Sequence, residues 1–140
     1  MPQIIFISSA DAVESLEEDE NPALAFPCMS SQQFHRDARA QLYALITGEF
    51  FQEAREMEAL DRMFNTDGPV VYRLEDHLTQ VIARLEEDDV EQLCLSWMQC
   101  EEIEVMDIEP DDCHEFMFQL IHFSQVATHD DLGVYIYSDD

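Results

Sequence analysis

The sequence contains no lysine, and six arginines are its only basic residues apart from histidine. Against them stand 32 aspartates and glutamates, which gives a formal net charge of −26 at neutral pH. Nucleic acids and anionic membranes are bound mainly through Lys and Arg side chains that neutralise phosphates. The charge balance therefore argues against both as direct ligands and predicts that the partner is a basic protein.

Long apolar runs are also missing. No segment approaches the ~20 apolar residues of a membrane span. The N-terminal stretch 1–9 has no basic region, and its apolar run, residues 4–7, is short for a secretion signal. We therefore expect a cytoplasmic protein in which the four cysteines are reduced thiols, mostly buried: Cys28, Cys94, Cys100 and Cys113.

Motifs of catalysis are absent as well. The three glycines, at positions 48, 68 and 133, each fit a turn or a helix cap, and none belongs to a phosphate loop or a G-x-S-x-G turn. Paired carboxylates are uninformative where acids are so abundant. The sequence favours a binding protein over an enzyme, and we predict no cofactor and no catalytic residue.

Apolar and aromatic residues are plentiful, so the acidity does not indicate disorder. Hydrophobic residues make up 46% of the chain, with nine Phe, four Tyr and one Trp. A chain of 140 residues fits one domain with one core, because compact domains cluster around ~100–150 residues. We predict a single domain over residues 1–140.

Periodicity predicts an α+β fold with about five to six helices packed on a small sheet of two or three strands. The N- and C-terminal strands, residues 3–7 and 134–137, should lie side by side. A further short strand or extended segment is predicted at 70–72, and residues 101–109 should form an irregular or extended link. Helices are predicted over residues 10–18, from a cap at Ser30 or Ser31 to Gly48, and over 50–64, 74–85, 90–98 and 110–128.

The order of these elements resembles the YfbM-like family of small uncharacterised bacterial proteins. The similar pieces are the apolar N-terminal strand, the closing strand and three internal segments: Leu42–Gly48, the Leu74–Leu85 helix with its continuation Glu86–Asp89, and Met106–Pro110. The resemblance implies an α+β fold. It implies no known activity and no functional residues.

Acidic runs are the main candidate for a binding site. Carboxylates three or four residues apart on a helix lie ~5–6 Å from one another, so acidic helix faces can present rows of negative charge to a basic partner. Inhibitors, immunity proteins and nucleic-acid mimics would use such faces. The predicted partner-binding residues are Glu86, Glu87, Asp88, Asp89, Glu101, Glu102, Glu104, Asp111 and Asp112.

A metal site is the alternative from another class. Asp111, His114 and His122 share one face of the last long helix and could serve a metal-binding protein or a metal-dependent enzyme. The pattern holds only half of the paired Glu-x-x-His motif of di-iron bundles. The cysteines also lack the close C-x₂₋₄-C pairs of structural zinc sites.

A third reading treats the acidity as adaptation to a salty cytoplasm. The response to salt separates it from partner binding. Raising NaCl from about 10 mM to about 150 mM shortens the screening length from ~30 Å to ~8 Å and should raise the melting temperature, because like charges repel one another less. A calorimetric scan at each salt concentration measures this. A plateau near physiological salt fits ordinary screening, further stabilisation above about 1 M favours adaptation, and no increase at all contradicts the prediction.

Overall fold

The computed structural model describes residues 3–15, 26–31, 33–63 and 69–138, apart from the side chain of Glu102. Three predicted features lie outside these residues: the end of the helix expected over 10–18, the turn at Gly68, and the acidic C-terminal pair Asp139–Asp140.

The described strands form one antiparallel sheet in the order β2-β1-β5-β4-β3. The terminal strands β1 and β5 are neighbours, with Ile5 opposite Ile136, as predicted. The sheet is larger than the two or three strands expected. Its strands are β1 (Gln3–Ser8), β2 (Cys28–Ser30), β3 (Glu58–Met63), β4 (Val70–Leu74) and β5 (Gly133–Ser138).

Seven helices in the described ranges accompany the sheet, which confirms the α+β class. Helix α2 ends at Gly48, whose φ of +76° is the left-handed value expected of this cap. Its N-cap is His35, whose Nδ1 accepts from the Ala38 N–H, so the predicted cap at Ser30 or Ser31 is wrong. The helices are α1 (Ala10–Glu14), α2 (Arg36–Thr47), α3 (Phe51–Arg55), α4 (Asp76–Ala83), α5 (Glu87–Met98), α6 (Glu101–Met106) and α7 (Pro110–His129).

The helix predicted over residues 50–64 is wrong. Within residues 50–63 only α3 is helical, and β3 follows it and pairs with β4. The apolar stripe that suggested a helix is only partly in the core, since Ala54 is buried and Met57 packs against the core, whereas Phe50 is 80% exposed and Leu60 is also exposed. Pairing of Leu60 with Tyr72 on β4 decides the conformation, because tertiary context overrides a local periodic pattern.

The extended link predicted at 101–109 is also wrong, because residues 101–106 form α6. The alternation of Ile103 and Val105 suggested extended chain. In the structure Ile103 is buried while Val105 is 77% exposed, so the two residues do not share a face. Asp107, with a φ of +53°, ends the helix in the left-handed conformation.

Apolar side chains cover both faces of the sheet. On the second face Phe6 stacks on Tyr135 with ring centroids 5.6 Å apart, and Val13 of α1 packs nearby. The larger core lies between the sheet and the helical layer, where Trp97 points inward, as the apolar spacing of residues 90, 93, 94, 97 and 98 predicts. Its buried members include Ile5, Ile7, Leu42, Leu74, Leu78, Ile82, Trp97, Phe116, Met117, Leu120 and Ile136.

A buried ion pair lies within this core. Arg39 of α2 and Glu58 of β3 are each 1% exposed and form a two-pronged contact, Nε to Oε2 at 2.7 Å and Nη2 to Oε1 at 2.9 Å. The Tyr43 hydroxyl donates to Glu58 Oε2 at 2.6 Å. Burial, followed by the Glu58 charge, raises the pKa of Tyr43 well above its ordinary value, so this hydroxyl stays protonated and continues to donate.

The remaining Arg39 nitrogen, Nη1, bonds residues of β1 and of the segment after β2. Nη1 donates to Gln3 Oε1 at 2.9 Å, Ser31 Oγ at 3.0 Å and the Phe34 carbonyl at 2.6 Å. By register Gln3 and Glu58 lie three strands and four residues apart on a diagonal of the sheet, roughly 20 Å if the sheet were flat. One guanidinium can bond both because the sheet is twisted and both side chains are long.

Replacing Arg39 should therefore be costly. We expect Arg39→Met to lower the free energy of unfolding by about 3–5 kcal/mol, because it leaves the Glu58 carboxylate buried without its cation. Urea denaturation measures the loss.

Arg55→Met is the matched control. Arg55 pairs with Asp37 at 2.9 Å, but both side chains are about half exposed, so its loss should cost under about 1 kcal/mol. Equal costs for the two variants would contradict a structural role for the buried pair. If Arg39→Met does not fold, Tyr43→Phe tests the same carboxylate, with an expected loss of about 1.5–3 kcal/mol.

Candidate functional site

The structure divides the predicted acidic residues between two ends of the helical layer. Helices α5 and α7 run antiparallel, because Cys94 Sγ lies 3.5 Å from Met117 Sδ while Gln125 Nε2 donates to the Ala83 carbonyl, just before α5, at 3.2 Å. The beginning of α5 therefore lies beside the C-terminal half of α7. At 1.5 Å per residue the two ends of α5 are about 17 Å apart.

The first end carries four of the predicted acids, Glu86, Glu87, Asp88 and Asp89, all exposed. We call them the α5 cluster. Asp89 Oδ2 accepts the backbone N–H of Glu86 at 2.9 Å, which is one half of a capping box. Carboxylates in the first turn also stabilise a helix through its dipole. Much of this cluster is therefore explained by the local structure of α5.

The second end is formed by α6 and the first turns of α7. Glu101 and Glu104 are exposed on α6, Asp111 is exposed on α7, and Asp112 is partly buried. The side chain of Glu102 lies outside the description. Glu115 is not among the predicted partner-binding residues. It is exposed one turn after Asp111 and Asp112.

Residues 85–140 contain neither lysine nor arginine, and Arg84, two residues before Glu86, is the last such cation in the chain. Among the described side chains, the arginine–carboxylate pairs join Arg39 with Glu58, Arg55 with Asp37 and Arg73 with Asp76. These pairs all lie before α5. The negative charge of the later helices therefore remains free to attract an external cation.

An open groove of about 1050 Å³ runs between β2 and the first half of α7. Its walls combine aromatic rings with carboxylates. Phe34 and Phe116 are buried, Phe118 is 47% exposed, and Asp112 and Glu115 are the acids. The complete lining is Cys28, Met29, Ser30, Gln33, Phe34, Asp112, Glu115, Phe116, Phe118, Gln119, His122 and Phe123.

Three packed aromatic rings support the groove from below. Phe34 lies 4.8 Å from Trp97 and 4.5 Å from Phe116 between ring centroids, and Trp97 lies 5.8 Å from Phe116. The Trp97 Nε1–H donates to the Ala38 carbonyl at 2.8 Å, which satisfies the polar atom of this buried ring. The groove is therefore built on a tightly packed part of the core.

The sequence predicts only part of this groove. Asp112 is a predicted partner-binding residue and His122 a metal candidate, whereas Phe118 and Phe123 widen the apolar stripe of the helix predicted over 110–128, which predicts a helix covered on most sides. That prediction is wrong at Phe118, which is 47% exposed. The available signal was the position of Phe118 beside the core stripe rather than on it.

The metal candidates do not form a site. His114 Nδ1 lies 2.8 Å from the Pro110 carbonyl, so this nitrogen is engaged with its own helix, and His122 is exposed eight residues further along α7, about 12 Å away. Across the described ranges, no three His, Cys, Asp or Glu residues are placed to hold an ion.

Burial divides the four cysteines, which were expected to be mostly buried. Cys94 and Cys113 are buried on α5 and α7, Cys28 and Cys100 are partly exposed, and none of the four forms a disulfide. Burial raises the pKa of Cys94 to about 11. It also raises the pKa of Cys113 to about 12, with smaller contributions from Cys94 and Asp112.

Comparisons with family models, curated proteins and solved structures returned no match for this chain. The resemblance to the YfbM-like family therefore rests on the quoted segments alone. None of the described helices has the length and apolar composition needed to cross a membrane.

The cysteines should differ in reactivity. With an aromatic disulfide reagent at pH 8, we expect Cys28 and Cys100, which are partly exposed, to react with the folded protein. Cys94 and Cys113 should react only on unfolding, because burial hinders access and keeps their thiols protonated. Thiol release followed by absorbance measures this, with the guanidinium-unfolded protein as the control. Rapid reaction of all four cysteines in the folded protein would contradict the packing of α5 on α7.

Proposed function

We propose that this protein is a noncatalytic binding protein that docks a basic partner protein through the acidic side chains of its helical layer. The protein would then act as an inhibitor or immunity protein. Alternatively, its acidic surface would take the place of nucleic acid on a nucleic-acid-binding protein. The observation that carries the proposal is the groove at α7, where Asp112 and Glu115 border exposed aromatic surface and no described lining residue is lysine or arginine.

The groove end of the layer is a better docking site than the α5 cluster. Charged groups alone contribute little affinity at an exposed surface, whereas an interface needs a few apolar anchors that exclude water. The groove offers such an anchor in Phe118. Glu86 and Asp89 are instead engaged in starting α5.

Charge spacing favours a basic protein as the target over close imitation of duplex DNA. DNA carries one charge per ~1.7 Å of axis, while helical carboxylates three or four residues apart are ~5–6 Å from one another. The two acidic ends of the layer are also separated by about 17 Å along α5. Docking on one basic patch requires no such density, and complementary charge would speed association.

The metal alternative receives no support from the described residues. His114 and His122 are too far apart to share an ion, and one nitrogen of His114 faces the Pro110 carbonyl. We therefore propose no metal-dependent function.

Salt-dependent capture tests the proposal. Immobilised protein is exposed to cell extract at low salt, and proteins eluted by high salt are identified, purified and measured for direct binding. We expect a basic protein whose binding weakens steeply with ionic strength, because complementary charges are screened.

Two charge-neutralised variants locate the site. D111N/D112N/E115Q should weaken binding roughly tenfold or more, because it removes the groove carboxylates of Asp112 and Glu115 and that of the neighbouring Asp111. E87Q/D88N, which leaves Glu86 and Asp89 to start α5, is the control and should change affinity by less than about threefold. Failure to retain any basic protein at low salt, or binding that is insensitive to salt, would overturn the proposed function.

A further inference from the structure

The groove joins two kinds of surface that are seldom adjacent. Phe118 is one of the large apolar residues left exposed, and Phe123 beside it is half-buried. Asp112 and Glu115 lie within two turns of Phe118 on the same helix. A ligand that satisfies only one of these surfaces leaves the other in water.

We propose that the groove seats one short segment of the basic partner, in which a bulky aliphatic side chain lies between arginines. This inference rests on the proposed function and specifies how the partner would be held. The aliphatic side chain lies against Phe118 and Phe123, above the buried rings of Phe34 and Phe116. The arginines contact the carboxylates of Asp112 and Glu115.

The charge arrangement supports arginine. Asp112 and Glu115 are three residues apart on α7, so their Cβ atoms lie ~5–6 Å apart on neighbouring turns. A guanidinium binds carboxylates through paired hydrogen bonds and also packs its flat face on aromatic rings. Glu115 lies three residues before Phe118, so an arginine beside Glu115 can also contact the exposed Phe118 ring.

The aromatic floor supports an apolar anchor. Phe34, Trp97 and Phe116 pack on one another with ring centroids 4.5–5.8 Å apart, so the base of the groove is already formed before a ligand arrives. A preformed surface reduces the entropy lost on binding. The volume of about 1050 Å³ is at the upper end of sites that hold small ligands, which is room enough for a few residues of peptide.

A second copy of this chain is a poorer occupant. Two molecules that each carry a charge of −26 repel one another. Five of its six arginines already bond groups in their own molecule, Arg39, Arg55 and Arg73 through carboxylates and Arg36 and Arg62 through backbone carbonyls. We therefore expect the cation that complements Asp112 and Glu115 to come from a different protein.

Short synthetic peptides test this inference without the natural partner. The probe is the amide Gly-Arg-Leu-Arg-Gly, compared with Gly-Arg-Gly-Arg-Gly and Gly-Glu-Leu-Glu-Gly. Binding is followed by backbone amide NMR shifts and by the emission of Trp97, the only tryptophan, whose ring contacts the groove residues Phe34 and Phe116. We expect the first peptide to shift the amides of residues 112–123 and to bind roughly tenfold more tightly than either comparison peptide.

Matched variants separate the groove from general surface charge. Phe118→Ser and D112N/E115Q should each weaken the first peptide about fivefold or more, because each removes one of the two surfaces. Leu95→Ser is the control for Phe118, since Leu95 is 64% exposed on α5 outside the groove, and E87Q/D88N is the control for charge. Melting curves for all variants verify that each is folded.

The outcomes are distinguishable. If the leucine-free arginine peptide binds as tightly as the probe, or if the shifted amides lie away from α7, the groove inference fails while charge-based docking of a basic protein stands. If groove amides shift on concentrating the protein alone, with a dimer detected by sedimentation, the groove is a self-interface and the inference is overturned. If no basic protein is retained at low salt, the proposed function fails as well.

Discussion

The guanidinium of Arg39 holds the helical layer to both edges of the sheet. Two of its nitrogens bond Glu58 on β3, and the third bonds Gln3 on β1 together with the segment after β2. Because the Phe34 carbonyl is one of these acceptors, the same ion pair fixes the residue that forms the floor of the groove. A buried charge has this effect because losing any one partner leaves another charged or polar group unsatisfied.

Most of the other arginines also bond groups within their own molecule. Arg36 donates to the carbonyls of Arg55 and Glu58 and lies over the Tyr72 ring at 4.6 Å. Arg62 donates to the carbonyls of Val13 and Glu14, and Arg73 bonds Asp76 and the Tyr135 hydroxyl. Apart from the bond between Arg73 and Tyr135, these contacts join residues that precede α5, and all six arginines precede it as well. The helices α5 to α7 are left strongly anionic.

In the groove, the negative charge of the later helices lies beside exposed aromatic surface. An acidic surface alone attracts any cation weakly, whereas Asp112 and Glu115 beside Phe118 can select a ligand that is both cationic and apolar. The rings of Phe34, Trp97 and Phe116 keep the apolar part in place. The proposed recognition therefore depends on core packing as much as on surface charge.

The local spacing of apolar residues specifies some elements of this fold, and pairing between distant segments specifies others. The spacing of apolar residues predicted α7, α5 with its inward Trp97 and the Gly48 cap, because these features depend on neighbours within one or two turns. The apolar residues at 50–64 followed the same spacing, yet β3 forms there because Tyr72 and its neighbours on β4 offer a pairing partner.

The site shows the same division. Composition alone determined that the chain is strongly acidic, since charge is a sum over residues, and the order of residues determined that its later helices lack arginine and lysine. Only the tertiary structure decided that Glu86 to Asp89 and Asp111 to Asp112 lie at opposite ends of the helical layer, and that Phe118 lies beside Asp112 and Glu115 in a groove against β2. These relations join residues distant in sequence, and packing around the buried Arg39 and Trp97 sets them.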